Sequence, residues 1–212
     1  MNKSKCVDGS YGWIIVIITM LCGFVPGSNM AKFIALAPVF IDVFGLDPAL
    51  IGYVVASFYI MGMVMAFPAV AFVNKIGMKG AIAVSTAVSV IGCVMGAMAP
   101  NLTVFIVSRV FEGAAFGIMG VAGASAIGPW FSPTKRSLPL SIWSIWVAAC
   151  MCVCPVLFGW LSEAMGVAWT GIWWGTCVYD LVVGILFILL YRKPADADLE
   201  AEAAAAAQES SA

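Results

Sequence analysis

Residues 102–127 read LTVFIVSRVFEGAAFGIMGVAGASAI. The stretch is apolar for longer than the ~20 residues a helix needs to cross the hydrocarbon core of a bilayer. It nevertheless keeps two ionisable side chains, Arg109 and Glu112, in its interior. Three positions apart on a helix, they share a face and can pair with each other. Gly113, Gly117, Gly120 and Gly123 leave one side of the same helix nearly bare, which suits close approach of another helix rather than chemistry. This is one span of a polytopic membrane protein, and the rest of the chain repeats the pattern.

Outward from this span, five more segments are long and apolar enough to cross. The first starts at Tyr11 and is expected to continue past Lys32 and Pro38 to about Phe44. The second covers 49–73, the third 79–98, with a tight turn at Pro100-Asn101 before residue 102. The fifth covers 138–161 and the sixth 168–191, with Asp180 at its centre. The chain of 212 residues is 63% apolar and 10% charged, with mean hydropathy +1.06. The fold class expected is an all-α membrane protein, six transmembrane helices over 11–193. Residues 1–10 form an N-terminal segment, and 194–212 an Ala/Glu-rich tail expected to be disordered with some nascent helix.

Lys3, Lys5, Lys75, Lys79, Lys135, Arg136, Arg192 and Lys193 fall on one side of these spans, while Asp42, Asp47 and Glu163 fall on the other. That asymmetry predicts a multi-pass protein of the cell (plasma or inner) membrane with both termini cytoplasmic. Trp13, Trp143, Trp160, Trp169 and Tyr191 lie near span ends and read as interfacial belt residues. Lys3 and Lys5 precede a run too long for a signal-peptide core, so the first span is expected to stay attached.

Composition also excludes. The net charge is −1 and no basic block is interleaved with aromatics, so nucleic acid is not an expected partner. Histidine is absent, which removes the commonest general base, metal ligand and pH switch. Of the seven cysteines only Cys6 lies outside an apolar run. Cys150 and Cys154 share a helix face, Cys152 does not, and no further ligands accompany them. They read as small packing residues, and no cofactor or metal is expected. No G-x-S-x-G and no paired carboxylates around a metal suggest an enzyme.

The stretch Val70-Ala71-Phe72-Val73-Asn74-Lys75-Ile76-Gly77-Met78-Lys79 resembles the G-x-x-x-D-R-x-G-R-R loop of the major facilitator superfamily. Lys75, Gly77 and Lys79 match, while Val70 and Asn74 replace the glycine and the aspartate. The resemblance implies a conformational loop at Asn74, Lys75, Gly77 and Lys79, without the family's ionic latch. Arg109-Val110-Phe111-Glu112-Gly113 resembles that superfamily's R-x-x-x-G signature, and Trp130-Phe131-Ser132-Pro133-Thr134-Lys135-Arg136 its W-F-x-x-x-x-R segment. Pro155 and Gly159 partly match its fifth-span motif, without the central glycines. Asp8-Gly9-Ser10-Tyr11-Gly12-Trp13 is similar to the D-G-[GS]-[WF]-G-W signature of monocarboxylate transporters, with Tyr11 the one departure. Val73-Asn74-Lys75-Ile76-Gly77 is similar to their V-N-K-Y-G loop. Arg109 is closer to the bacterial oxalate/formate antiporters. The resemblance covers about residues 8–193.

The monocarboxylate family carries a carboxylate-binding lysine in its first span, and Lys32 lies at about that depth. The physical reading agrees: a buried ammonium needs an anion or a carboxylate partner. Pro26 and Gly27 are expected to loosen the helix and free backbone groups beside Asn29. The structural alternatives are that Lys32 snorkels to the outer interface or neutralises Asp180. Substrate binding is thus expected at Lys32, Asn29 and Arg109. Proton coupling is expected at Glu112 and Asp180, whose structural alternatives are an ion pair that fixes helix packing and a packing role for the sixth span.

Superfamily members normally have two six-span bundles, and this chain supplies one. The expected function is secondary transport of small organic anions such as monocarboxylates, coupled to protons (symport), with the bilayer and a second six-helix bundle as partners. That bundle is a separate chain or a second copy. The alternative is a truncated or non-transporting membrane subunit.

Overall fold

The computed structural model describes residues 7–194. Lys3, Lys5 and the tail from residue 195 lie outside the described residues. Seven α-helices follow one another: α1 Tyr11–Ala35, α2 Ala37–Phe44, α3 Pro48–Ala97, α4 Leu102–Ile127, α5 Ser137–Ser144, α6 Trp146–Glu163 and α7 Trp169–Leu190. No strand occurs among the described residues.

α3 is 50 residues long, about 75 Å if straight and more than twice the thickness of a hydrocarbon core. It is not straight. Gly77 sits at φ 71°, ψ 175°, a conformation that is essentially glycine-only. The chain reverses there. Phe58 and Gly92 are 34 positions apart, about 50 Å along a straight helix, yet both reach the middle of α4: Phe58 at Gly113, and Gly92 at Glu112. α3 is therefore two crossings, and the described residues make six in all, as the sequence predicts. The expected second loop is reduced to this glycine hinge. Asn74, Lys75, Gly77 and Lys79 are all exposed around it.

Two other boundaries differ from the sequence reading. The first span ends at Ala35, and α2 starts after Leu36, which has φ −102°, ψ 12°. Pro38 lacks the N–H that would continue the ladder and its ring crowds the carbonyl four residues back, so the helix restarts with proline in its first turn. The fifth span is broken at Ile145 into α5 and α6.

Asparagine and aspartate start the two helices that follow short loops. Asp47 accepts from the Leu50 amide at 2.7 Å and Asn101 from the Val104 amide at 3.0 Å, which satisfies donors otherwise orphaned at helix starts. α4 is clamped between the two crossings of α3. A Cβ at Gly113 would collide with the Phe58 carbonyl, and one at Gly117 with the Gly62 carbonyl. On the other side, a Cβ at Gly92 would stand 2.9 Å from the Ser108 carbonyl oxygen. Gly123 makes room for the Trp143 ring, whereas Gly120 faces open space. α1 packs on α4, α6 and α7. Gly27 is used there: a Cβ would meet the Cys150 Sγ at 2.5 Å. α1 remains helical through Pro26 and Gly27, so this pair serves close packing and not the expected loosening. Beside the site, the Asn29 carbonyl takes a polar contact from Arg109 with the helix intact.

A charged site inside the bundle

Four helices bring polar side chains to one point: α1 gives Asn29 and Lys32, the second crossing of α3 gives Ser89 and Cys93, α4 gives Arg109 and Glu112, and α7 gives Trp173, Thr176 and Asp180. Lys32 and Glu112 are 0% exposed and Arg109 is 1% exposed. The Lys32 ammonium donates to Glu112 Oε1 at 2.7 Å, to Asn29 Oδ1 at 2.8 Å and to Thr176 Oγ1 at 3.2 Å. It also lies 4.2 Å from the centre of the Trp173 ring, close enough for cation–π attraction. Arg109 pairs with the other oxygen of Glu112, one turn along α4. Its second terminal nitrogen donates to the Asn29 carbonyl at 2.6 Å, and its guanidinium lies 5.0 Å from the Phe58 ring centre.

Glu112 is therefore the hub, one carboxylate held by two cations. The local sum, two positive charges and one negative, leaves one positive unit. In a low-dielectric interior such a set persists only with close geometry and satisfied hydrogen bonds, and Asn29, Thr176 and the two rings supply them. Lys32 neither reaches the interface nor pairs with Asp180; its carboxylate partner is Glu112. Asp180 is 2% exposed and faces Ser89 across a cavity of about 10 Å³, also lined by Cys22, Ser85 and Met119, about the size of one water. Ser89 accepts from the Asn29 amide at 2.9 Å, and Asn29 accepts from Lys32. A polar path thus runs from Asp180 through Ser89 and Asn29 to the ion pair.

The structure brings Asn29, Lys32, Arg109 and Glu112 together, sets Asp180 one step away, and leaves Asn74, Lys75, Gly77 and Lys79 at the distant turn. Ser89, Cys93, Trp173 and Thr176 were not singled out from the sequence. The signal for them was present: Ser85, Ser89 and Cys93 recur every fourth residue, and Trp173, Thr176 and Asp180 recur at helical spacing.

At one end of the bundle a second constellation joins two motifs. The Asp8 carboxylate accepts from the Ser132 amide at 3.0 Å and the Ser132 hydroxyl at 2.9 Å, and it pairs with Lys135 at 3.1 Å. The Ser132 amide, chiefly, holds the Asp8 carboxyl below its ordinary range. The Tyr11 hydroxyl donates to the Leu190 carbonyl at 2.6 Å, and Gly12 lets Phe131 and Trp130 approach. The start of α1 is thus stitched to the α4–α5 link and to the end of α7.

A family model of the Major Facilitator Superfamily matches residues 13–211. The chain belongs to the Major Facilitator Superfamily. Its fold matches solved major facilitator structures. One is a proton:xylose symporter bound to 6-bromo-6-deoxy-D-glucose, at TM-score 0.73 and 16% identity over 87% of this chain and 46% of that one. Another is a D-xylose-proton symporter, at TM-score 0.72 and 16% identity over 94% of this chain and 52% of that one. This major facilitator chain spans about half the length of the solved transporters it matches. No curated protein matches it. It is a multi-pass membrane protein with one major-facilitator-type six-helix bundle.

Proposed function

We propose that this chain is one six-helix bundle of a secondary transporter that moves small organic anions such as monocarboxylates by symport with protons across the cell membrane. It works with a second six-helix bundle. The observation that carries the reading is the hub: Glu112 shared by Lys32 and Arg109, all buried.

Protonation of Glu112 leaves two buried cations without a counter-ion, and a substrate carboxylate restores the balance. The empty site, with Glu112 ionised, and the loaded site, with Glu112 protonated and one anion bound, carry the same net charge. Proton and anion therefore bind together and leave together. Arg109 borders a narrow crevice between α1 and the first crossing of α3, lined by Met30, Phe33, Val55, Phe58 and Tyr59. The crevice holds about 10 Å³, one water's worth, so an anion enters where the rocking bundles widen it and meets Arg109 first and Lys32 behind it, while Asn29 orients both cations. Asp180, beside its water-sized cavity, is the second proton-coupling carboxylate, joined to the hub through Ser89 and Asn29. The turn at Asn74, Lys75, Gly77 and Lys79 changes conformation when the two bundles rock.

The reading is tested by binding of a labelled monocarboxylate such as lactate to the chain assembled with its second bundle. Lys32→Gln is expected to abolish binding with the fold retained. Lys32→Arg should rescue it partly, because a guanidinium is larger and planar. Glu112→Gln mimics the protonated carboxyl and should make binding independent of pH. Binding that survives in folded Lys32→Gln, or that keeps its pH dependence in Glu112→Gln, would overturn the proposal. A second reading is a non-transporting membrane subunit that needs a second bundle, since this chain spans about half of each matched symporter. Failure of every pairing to carry anions would support it.

A further inference from the structure

Asp180 lies outside the hub yet is buried almost as deeply, at 2% exposed. Its Oδ2 has no hydrogen-bond partner among the described residues. An ionised carboxylate oxygen left dry and unpaired is costly, and a proton or a metal cation removes the cost. The oxygen belongs to the wall of the cavity of about 10 Å³ already described.

The other walls offer oxygens as well. Ser85 donates its proton to the Ala115 carbonyl at 3.0 Å, which leaves its lone pairs free. Ser89 accepts from Asn29 at 2.9 Å and keeps a second lone pair. Cys22 and Pro26 of α1 line the same cavity. Proline has no N–H, so the Cys22 carbonyl lacks the donor a helix supplies four residues on. The Cys22 thiol is engaged with the Val183 carbonyl at 3.7 Å. Gly184 of α7 keeps the space open, since a Cβ there would stand 2.6 Å from the Thr86 hydroxyl oxygen.

One carboxylate among neutral hydroxyl and carbonyl oxygens suits a hard monovalent cation. Calcium and magnesium are held by more ligand charge or keep several waters, for which one water's volume leaves no room. K+ is about as large as a water molecule and takes more ligands than these walls offer; Na+ is smaller. Transporters hold coupling ions on helix carbonyls in this manner. We infer that the cavity bounded by Asp180, Ser85, Ser89 and the Cys22 carbonyl is a Na+ site.

The charges that act on Asp180 come from Lys32 of α1 and Glu112 of α4. With Arg109 and an ionised Asp180, these four groups sum to zero. Na+ beside Asp180 leaves the hub its positive unit, and one anion cancels it. That consequence, unlike the site, rests on the anion-symport reading: Na+ takes the place of the proton assigned there to Asp180.

The full chain is tested in detergent, in choline chloride with no monocarboxylate, by thermal unfolding as NaCl or KCl replaces choline at constant ionic strength. Na+ should raise the unfolding temperature saturably, by roughly 3–6 °C at tenfold its Kd, and K+ should not. Asp180→Asn should abolish the Na+ shift. Ser85→Ala keeps the charge and should raise the half-effective Na+ concentration roughly tenfold. Equal effects of Na+ and K+, or a Na+ shift that survives in folded Asp180→Asn, would overturn the inference and leave the cavity to a water. Should Asp180→Asn not fold, the comparison of Na+ with K+ and the Ser85→Ala titration decide. Lactate added afterwards should bind more tightly in Na+ than in K+. No lactate binding in either salt counts against the symport reading and leaves the Na+ site standing.

Discussion

Glu112 accepts from two cations at once, so its loss is unlike the loss of either. Glu112→Gln keeps the side chain's shape but strands Lys32 and Arg109 in a dry interior, and breaking such a set costs about 3–5 kcal/mol. Lys32→Met leaves Glu112 its arginine and should cost less. Thermal unfolding in detergent checks the order, and the symport reading adds an outcome. A saturating monocarboxylate should stabilise Glu112→Gln more than the unaltered protein, because it supplies the missing negative charge. Asp8 obeys a different rule. Its carboxyl is held below the ordinary 3.8, chiefly by the Ser132 amide, so its folded form binds protons less readily than the unfolded one. Its contribution is fully present above that ordinary value and is lost as pH falls through the lowered one. Protection of the Ser132 amide against hydrogen exchange, taken relative to its intrinsic rate at each pH, should fall across that window, and in Asp8→Asn it should no longer depend on pH there. Arg109, Glu112 and Lys32 were legible in the sequence because an ionisable group inside an apolar run is rare. That both cations share one carboxylate was not legible, since only the packing of α1 on α4 decides which partner is nearest.

Among the elements, α4 shows what a bare helix face is for. Gly117→Leu drives a side chain into the Gly62 carbonyl and should prise α3 from α4, with loss of monodisperse protein in gel filtration. Gly120→Ala meets nothing and should raise stability by about 1 kcal/mol, the helix-propensity gain. Gly77→Ala forces an alanine into a glycine-only conformation and should cost about 1–3 kcal/mol, read by the same unfolding measurement. Span positions were readable because twenty apolar residues carry one meaning in a bilayer. The glycine face of α4 was readable too, though Gly120 does not share its use. The division of the fifth span was not, because apolar content is continuous through Ile145 and hydropathy carries no signal for a break in hydrogen bonding; that of the first was announced by Pro38 alone, inside an unbroken apolar run.

For the whole molecule, the chain reversals place like with like. Lys79 lies at the turn of α3, and Lys135, Arg192 and Lys193 lie near the stitched end around Asp8 and Leu190, whereas Asp42 and Asp47 lie at the far end of α1 and α2. If the basic end is cytoplasmic, a membrane-impermeant thiol reagent applied to intact cells should label a cysteine at Asp42 but not one at Lys79. The reverse pattern would invert the topology. Phe67, 80% exposed, and Val156, 73% exposed, show that wide apolar faces of α3 and α6 await lipid or another bundle. The span count could be written from the sequence, but the separation of α6 from α7, both leaning on α1, could not, because it depends on which helices fail to meet. The ion pair has a further consequence, in time. Lys32 and Glu112 are 80 positions apart, and a ribosome adding about 5–20 residues per second needs roughly 4–16 s to make the second after the first. For that interval the newly inserted first span holds a lysine whose carboxylate does not yet exist. The nascent chain must shelter it in water or headgroups until α4 arrives, so the rate of synthesis across residues 33–112 sets how long each molecule is exposed to misinsertion.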